Sequence, residues 1–292
     1  MTQPTILSQF KNIAIVGAGQ MGGGIAQVFA AAGVDTYLFD AVSAQVERGI
    51  KAINDRLDRG VEKGKLTAEQ TQSTRAHLHS ARSLAELSQV DLVIEAIVEN
   101  FAAKEQLFRE FDKLAKKSTI FATNTSSISI TKLAACVSRP EQVVGMHFMN
   151  PVPVMKLVEL IRGLQTSDAT YESTKALVIA LDKTPVTARF DYPGFIVNRI
   201  LVPMLNEAVY ALMEGIATPE EIDSAMKLGT NQPMGPLELA DFVGLDTCLS
   251  ILRILHNELG DDKYRPCPLL VKYVEAGWYG KKTGRGFYTY PQ

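Results

Sequence analysis

The chain has 292 residues, 46% of them hydrophobic and 21% charged, with a formal net charge of −2. That length supports one large domain or two around a sizeable core, and the near-balanced charge excludes a nucleic-acid partner held by a basic surface. No apolar run reaches the roughly 20 residues of a membrane-spanning helix.

The first twelve residues, MTQPTILSQFKN, carry one basic residue and lack the charged start and apolar segment of a secretory leader. The cysteines, Cys136, Cys248 and Cys267, lie far apart with no C-x-x-C pair. That argues against a disulfide framework or a zinc cluster, so a reducing, cytoplasmic location and no metal site are expected.

Up to about residue 190, short β-rich runs alternate with helical patterns. The runs are NIAIVGAG, DTYLFD, DLVIEAI, TIFATN, QVVGMHF, KLVELI and TPVTAR, and helices are expected over residues 20–33, 43–63, 102–116 and 168–182. This alternation implies a mostly parallel sheet covered on both faces.

The first strand leads straight into G-x-G-x-x-G, formed by Gly17, Gly19 and Gly22 with Ala18, Gln20 and Met21 between them. A tight turn, close backbone approach and a helix N-terminus are what a pyrophosphate needs. Asp40 ends the second strand, 18 residues after Gly22. A carboxylate there accepts hydrogen bonds from a ribose and repels a 2′-phosphate, which favours NAD over NADP.

After DYPGF the β signal disappears. Ile196, Ile200, Met204, Ala208 and Leu212 recur every four residues on one helical face, and Pro203 within it predicts a kink or a break. TPEE, residues 218–221, is a capping box whose helix should stop at Gly229. Pro236 and Asp246 look like further helix starts, with Gly244 and Gly260 as stops. The expected organisation is an α/β domain over residues 1–190 and an all-helical domain over 191–292.

A nicotinamide-dependent enzyme that oxidises an alcohol needs a group to take the hydroxyl proton, and histidine is the usual one. Of the four histidines, His147 alone lies near the end of a predicted sheet strand, where functional groups of such sheets collect. Glu159 is on the next strand. If that strand is antiparallel, its carboxylate can sit opposite His147 and orient the imidazole. The segment NTSS, residues 124–127, ends another strand, where a serine hydroxyl suits either a substrate oxygen or a helix cap.

Taken together, VGAGQMGGGIAQVFA, VIEAIVENFAAKEQLF, TNTSSISIT, GMHFMNPVPVMKLVELI, PGFIVNRILVPMLNEA, DSAMKLGTNQPMGPLELADFVGLDT and GKKTGRGFY resemble the L-3-hydroxyacyl-CoA dehydrogenase family over essentially the whole chain. The resemblance implies a Rossmann-type NAD-binding domain followed by a helical substrate-binding and dimerisation domain. It implies NAD-linked interconversion of (S)-3-hydroxyacyl-CoA and 3-oxoacyl-CoA, with short chains as in the 3-hydroxybutyryl-CoA enzymes. His147 would be the base, Glu159 its orienter, and Ser126 and Asn198 the polar partners of substrate. For NAD it implies the Gly17 loop, Asp40, Glu99, Lys104, Ser126, Asn150 and Lys282.

In the family the second long helix contacts coenzyme A. Here Arg56 and Lys63 share one helical face there, which equally suits an ordinary solvated surface. Apolar stripes in the helical half predict a homodimer through it. Two other readings stay open at this stage: a dehydrogenase of a free hydroxy acid such as L-gulonate, and a dinucleotide-binding protein without turnover.

Overall fold

A computed structural model describes residues 6–291. The first five residues of the leader reading lie outside the described residues. The chain divides into two compact units, one ending at Asp191 and the other starting at Tyr192. No helix among the described residues is long and apolar enough to cross a membrane.

In the first unit, eight strands among the described residues form one sheet. They are β1 (Asn12–Val16), β2 (Asp35–Phe39), β3 (Leu78–Ser80), β4 (Leu92–Glu95), β5 (Ile120–Thr123), β6 (Val143–Phe148), β7 (Leu157–Ile161) and β8 (Thr184–Ala188), in the spatial order β3-β2-β1-β4-β5-β6-β7-β8. Helices α1 (Gln20–Ala31), α2 (Ser43–Glu62), α3 (Ala68–Ala76), α4 (Phe101–Leu114), α5 (Ile130–Ala134) and α6 (Asp168–Ala180) connect them. All strand pairs are parallel except β6 with β7. The order reverses between β1 and β4, so loops at the carboxyl ends of these strands part there and leave a crevice.

Strands covered on both faces need apolar residues at every position, as the buried Ile13, Ala14, Ile15 and Val16 of β1 show. Phe29 on α1 and Phe148 on β6 meet edge to face in the same core. The antiparallel β6–β7 register places His147 directly opposite Glu159.

Two elements of this unit carry no apolar periodicity. Helix α3 is hydrophilic, and its signal is the capping box Thr67–Gln70, both of whose hydrogen bonds form. Strand β3 is three residues long and takes its shape from pairing with β2. It makes His79 a strand residue, and both His77 and His79 bond Asp35.

The second unit is helical: α7 (Val197–Met213), α8 (Pro219–Thr230), α9 (Pro236–Val243), α10 (Leu245–Leu259) and α11 (Pro268–Glu275). Its core includes Val202, Leu205, Val209, Leu237, Leu249 and Leu252. Of the kink or break expected at Pro203, the break does not occur, and α7 runs through it. One missing backbone N–H is a small loss beside the burial of Val202, Leu205 and Val209 on either side. Helix α8 passes Gly229 and ends at Thr230, because Asn231 takes the left-handed capping conformation.

Two buried carboxylates tie this unit together. Asp223 accepts the N–H groups of Leu237 and Glu238 at the start of α9, and the Tyr288 hydroxyl. Asp241 accepts the N–H groups of Phe287 and Tyr288 and the Tyr290 hydroxyl, which fastens the GRGFYTY tail to α9.

Candidate active site

The β1–α1 turn is shaped by what side chains would hit. Gly17 sits at φ +109°, and a Cβ there would lie 2.4 Å from the Ala96 carbonyl oxygen. At Gly22 a Cβ would lie 1.7 Å from the Gly17 carbonyl oxygen, so only glycine lets helix and turn touch. The first-turn N–H groups of α1 have no intrahelical carbonyl, which leaves donors and the positive end of the helix for a phosphate.

Asp40 holds this turn. Its carboxylate accepts from the Ala18 N–H at 2.9 Å and the Val42 N–H at 3.0 Å. Beside it a cavity of about 860 Å³ is lined by Gly17, Gly19, Asp40, Ile97, Val98 and Leu107, among others. That volume and mostly apolar wall suit a cofactor.

At the ends of β4 and β5 a chain of charges supports the NTSS segment. Glu99, just before the Asn100 cap of α4, accepts from the Thr125 hydroxyl, the Ser126 N–H at 3.0 Å and the Ser127 hydroxyl at 2.9 Å. The Ser126 hydroxyl is 3.5 Å from the same oxygen. Lys104 lies beneath, 1% exposed, with its ammonium 2.5 Å from Glu95 and 3.2 Å from Glu99. Its part in any cofactor site is therefore exerted through Glu99.

Burial raises the Glu95 carboxyl above its ordinary pKa despite Lys104, the Thr123 hydroxyl and the Ile97 N–H. Burial opposes ionisation of Glu99 too. There the Lys104 charge and the Thr125, Ser127 and Ser126 donors prevail, and its pKa is lowered. Sequence reading missed Glu95, since no local pattern marks a carboxylate at a strand end as another residue's counter-ion.

His147 is buried near the carboxyl end of β6, and its Nδ1 is 2.7 Å from the Glu159 Oε2. Glu159 is fully buried on β7. With the carboxylate accepting from Nδ1–H, the imidazole is held as the tautomer whose Nε2 lone pair can receive a proton. The Asn124 side-chain oxygen accepts from the Phe148 N–H at 2.8 Å, which secures the strand end next to His147. Asn150 is exposed two residues beyond β6, where its Oδ1 accepts from Gln20 at 3.1 Å.

The first unit thus gathers a phosphate turn, a hydroxyl-bearing segment and a His–Glu pair, all at strand carboxyl ends. A family model described as 3-hydroxyacyl-CoA dehydrogenase, NAD binding domain, matches residues 12–191, and its C-terminal domain counterpart matches residues 194–290. The chain belongs to the 3-hydroxyacyl-CoA dehydrogenase family.

A probable 3-hydroxybutyryl-CoA dehydrogenase of Bacillus subtilis (strain 168) is 54% identical over 284 residues, covering 97% of this chain and 99% of that protein. Human mitochondrial hydroxyacyl-coenzyme A dehydrogenase is 45% identical over 289 residues, 96% of this chain and 91% of that protein. Among solved structures, the (S)-3-hydroxybutyryl-CoA dehydrogenase of Ralstonia eutropha superposes with a TM-score of 0.93 at 49% identity, covering 97% of this chain and all of that one.

The family's NAD-binding domain supports a nicotinamide dinucleotide as cofactor, and the turn and wall chemistry of the first-unit cavity fit that group. Arg56 is half-buried, donating to the Gln27 side chain at 2.8 Å and the Gly23 carbonyl at 3.4 Å, whereas Lys63 is exposed at the end of α2. In the second unit Asn198 is the second residue of α7, and Lys282 is paired with Asp246 at 2.6 Å.

Proposed function

We propose that the protein interconverts (S)-3-hydroxybutyryl-CoA, with related short chains, and acetoacetyl-CoA, using NAD. The observation that carries this is the buried 2.7 Å contact of His147 with Glu159 at the end of β6, in a chain over half identical to proteins named for that substrate.

In the oxidative direction His147 Nε2 takes the proton of the 3-hydroxyl group. Glu159 keeps Nδ1 protonated and stabilises the imidazolium that forms. Ser126 donates a hydrogen bond to the substrate oxygen. The hydride acceptor would be supplied by NAD held at the Gly17 turn and Asp40. Reduction runs the same groups in reverse, with His147 as the acid.

Asp40 faces the cavity, and its charge disfavours the 2′-phosphate of NADP. Glu99 organises the serine segment, and Asn150, which the resemblance assigns to NAD, stands beside the phosphate helix through its bond with Gln20. The roles of Asn198 and Lys282 rest on the resemblance alone. For coenzyme A phosphates Lys63 is the better of the two α2 candidates, because Arg56 is already engaged.

We further propose a cytoplasmic homodimer formed through the helical unit, where Ile200, Ile216 and Leu228 are two-thirds exposed or more. Acetoacetyl-CoA with NADH, followed by loss of NADH absorbance, tests the main reading, with free 3-hydroxybutyrate and L-gulonate assayed with NAD alongside. Turnover of a free acid alone would overturn it.

A further inference from the structure

The loop of residues 149–156 returns from β6 to β7 and carries Asn150. Pro151 and Pro153 have no N–H to donate. The N–H groups of Val154 and Met155 both go to the Pro151 carbonyl. The carbonyls of Val152 and Met155 are taken by one side chain from elsewhere: Lys183, the residue before β8, donates its ammonium to each at 2.7 Å.

Lys183 is 8% exposed and Val152 2% exposed, so the Lys183–Val152 arm of this clamp is buried, while the arm to Met155 reaches the surface. Burial, with the neighbouring Lys156 charge, pulls the Lys183 pKa below the ordinary lysine value. A group that merely filled the space would be apolar, while an ammonium brings donors enough for two carbonyls that have no ladder partner.

The other side of the loop rests on α1. Val152 Cβ lies 2.9 Å from where a Cβ on Gly24 would be, and Gln20 bonds Asn150. One loop thus joins the phosphate helix to β8, with Asn150 between. His147 is held separately, by the β6–β7 ladder and by Asn124 at Phe148.

We infer that Lys183 is a positioning residue for dinucleotide binding: it seats the 149–156 loop on the phosphate helix and so sets Asn150 at the cofactor. This rests on the NAD reading above. Because the catalytic pair is anchored independently, loss of the clamp acts on cofactor affinity and leaves the chemical step in place.

The test is NADH fluorescence titration together with steady-state kinetics on Lys183→Met, Lys183→Arg and Gly24→Ala. In Lys183→Met the NADH Kd rises about tenfold or more, while kcat at saturating NADH and KM for acetoacetyl-CoA stay within about threefold. Lys183→Arg, which keeps the donors, recovers most of the affinity. An unchanged NADH Kd in folded Lys183→Met, or a parallel fall in kcat, overturns the inference.

Should Lys183→Met fail to fold, Gly24→Ala decides. Its methyl group suits a helix but drives Val152 away, so an unchanged Kd there also overturns the inference. Wild-type protein that does not bind NADH overturns the NAD reading itself, and this inference with it.

Discussion

His147 and Glu159 are both buried side by side on one face of β6 and β7, the face opposite that on which Val144, Met146, Phe148, Val158 and Leu160 join the core. In that setting each is costly alone, and their contact is what makes the pair tolerable. On the proposed mechanism His147→Gln removes the proton acceptor and lowers kcat by about 10²–10⁴-fold, with NADH affinity unchanged. Stopped-flow turnover and NADH fluorescence check the two halves separately. Turnover at the wild-type rate would remove His147 from its role.

Glu99 offers a pH test. Its folded pKa lies below its ordinary value, so its ionised form stabilises the fold above the unfolded glutamate pKa near ~4.3. That contribution is lost as pH falls through the lower, folded value. Thermal unfolding of wild type and Glu99→Gln from about pH 7 to about pH 3 should therefore show a gap that narrows towards acid. A gap independent of pH would contradict the assignment.

At the level of elements, the site depends on strand register. Side chains alternate across a sheet, so slipping β6 by one residue would turn His147 to the opposite face. The phosphate turn depends equally on clearance. Gly22→Ala would put a methyl group into the Gly17 carbonyl, and NADH titration should show binding abolished or reduced beyond detection. Wild-type affinity in that variant would refute the phosphate-turn reading.

In the helical unit the Asp241 clasp gives a stability prediction. Asp241→Ala strands the Phe287 and Tyr288 N–H groups and should cost about 3 kcal/mol, read from the urea midpoint. A shift too small to resolve would mean that the tail is held by its aromatic packing instead, with Tyr273 stacked on Phe287.

For the whole molecule, the proposed homodimer predicts a sedimenting species of twice the 31.9 kDa chain mass. Ile200→Glu and Leu228→Glu, both at exposed positions, should shift it towards monomer without unfolding the chain. A wild-type species at the chain mass, over the working concentration range, would remove the dimer proposal.

What the chain determined by itself was periodic or stereochemical. Seven of the eight strands follow from short β-rich runs, and the central ones such as β1, β4 and β6 are mostly apolar because both of their faces are packed. The phosphate turn follows from Gly17 and Gly22, because no other residue clears the backbone there. His147 was legible as the one histidine near the end of a strand expected from the sequence, since β3 with its His79 was not among those expected. The rest came only with tertiary structure, since it consists of contacts between residues far apart in the chain. Strand β3 exists because β2 offers it an edge, and α7 passes Pro203 because its neighbours are buried. Lys104, which the resemblance assigns to NAD, is laid by the fold between Glu95 and Glu99. Nothing local marks Lys183, whose role appears only when two carbonyls 28 and 31 residues away close on it. Free energies of that kind are set by desolvation and distance, which one-dimensional spacing does not encode.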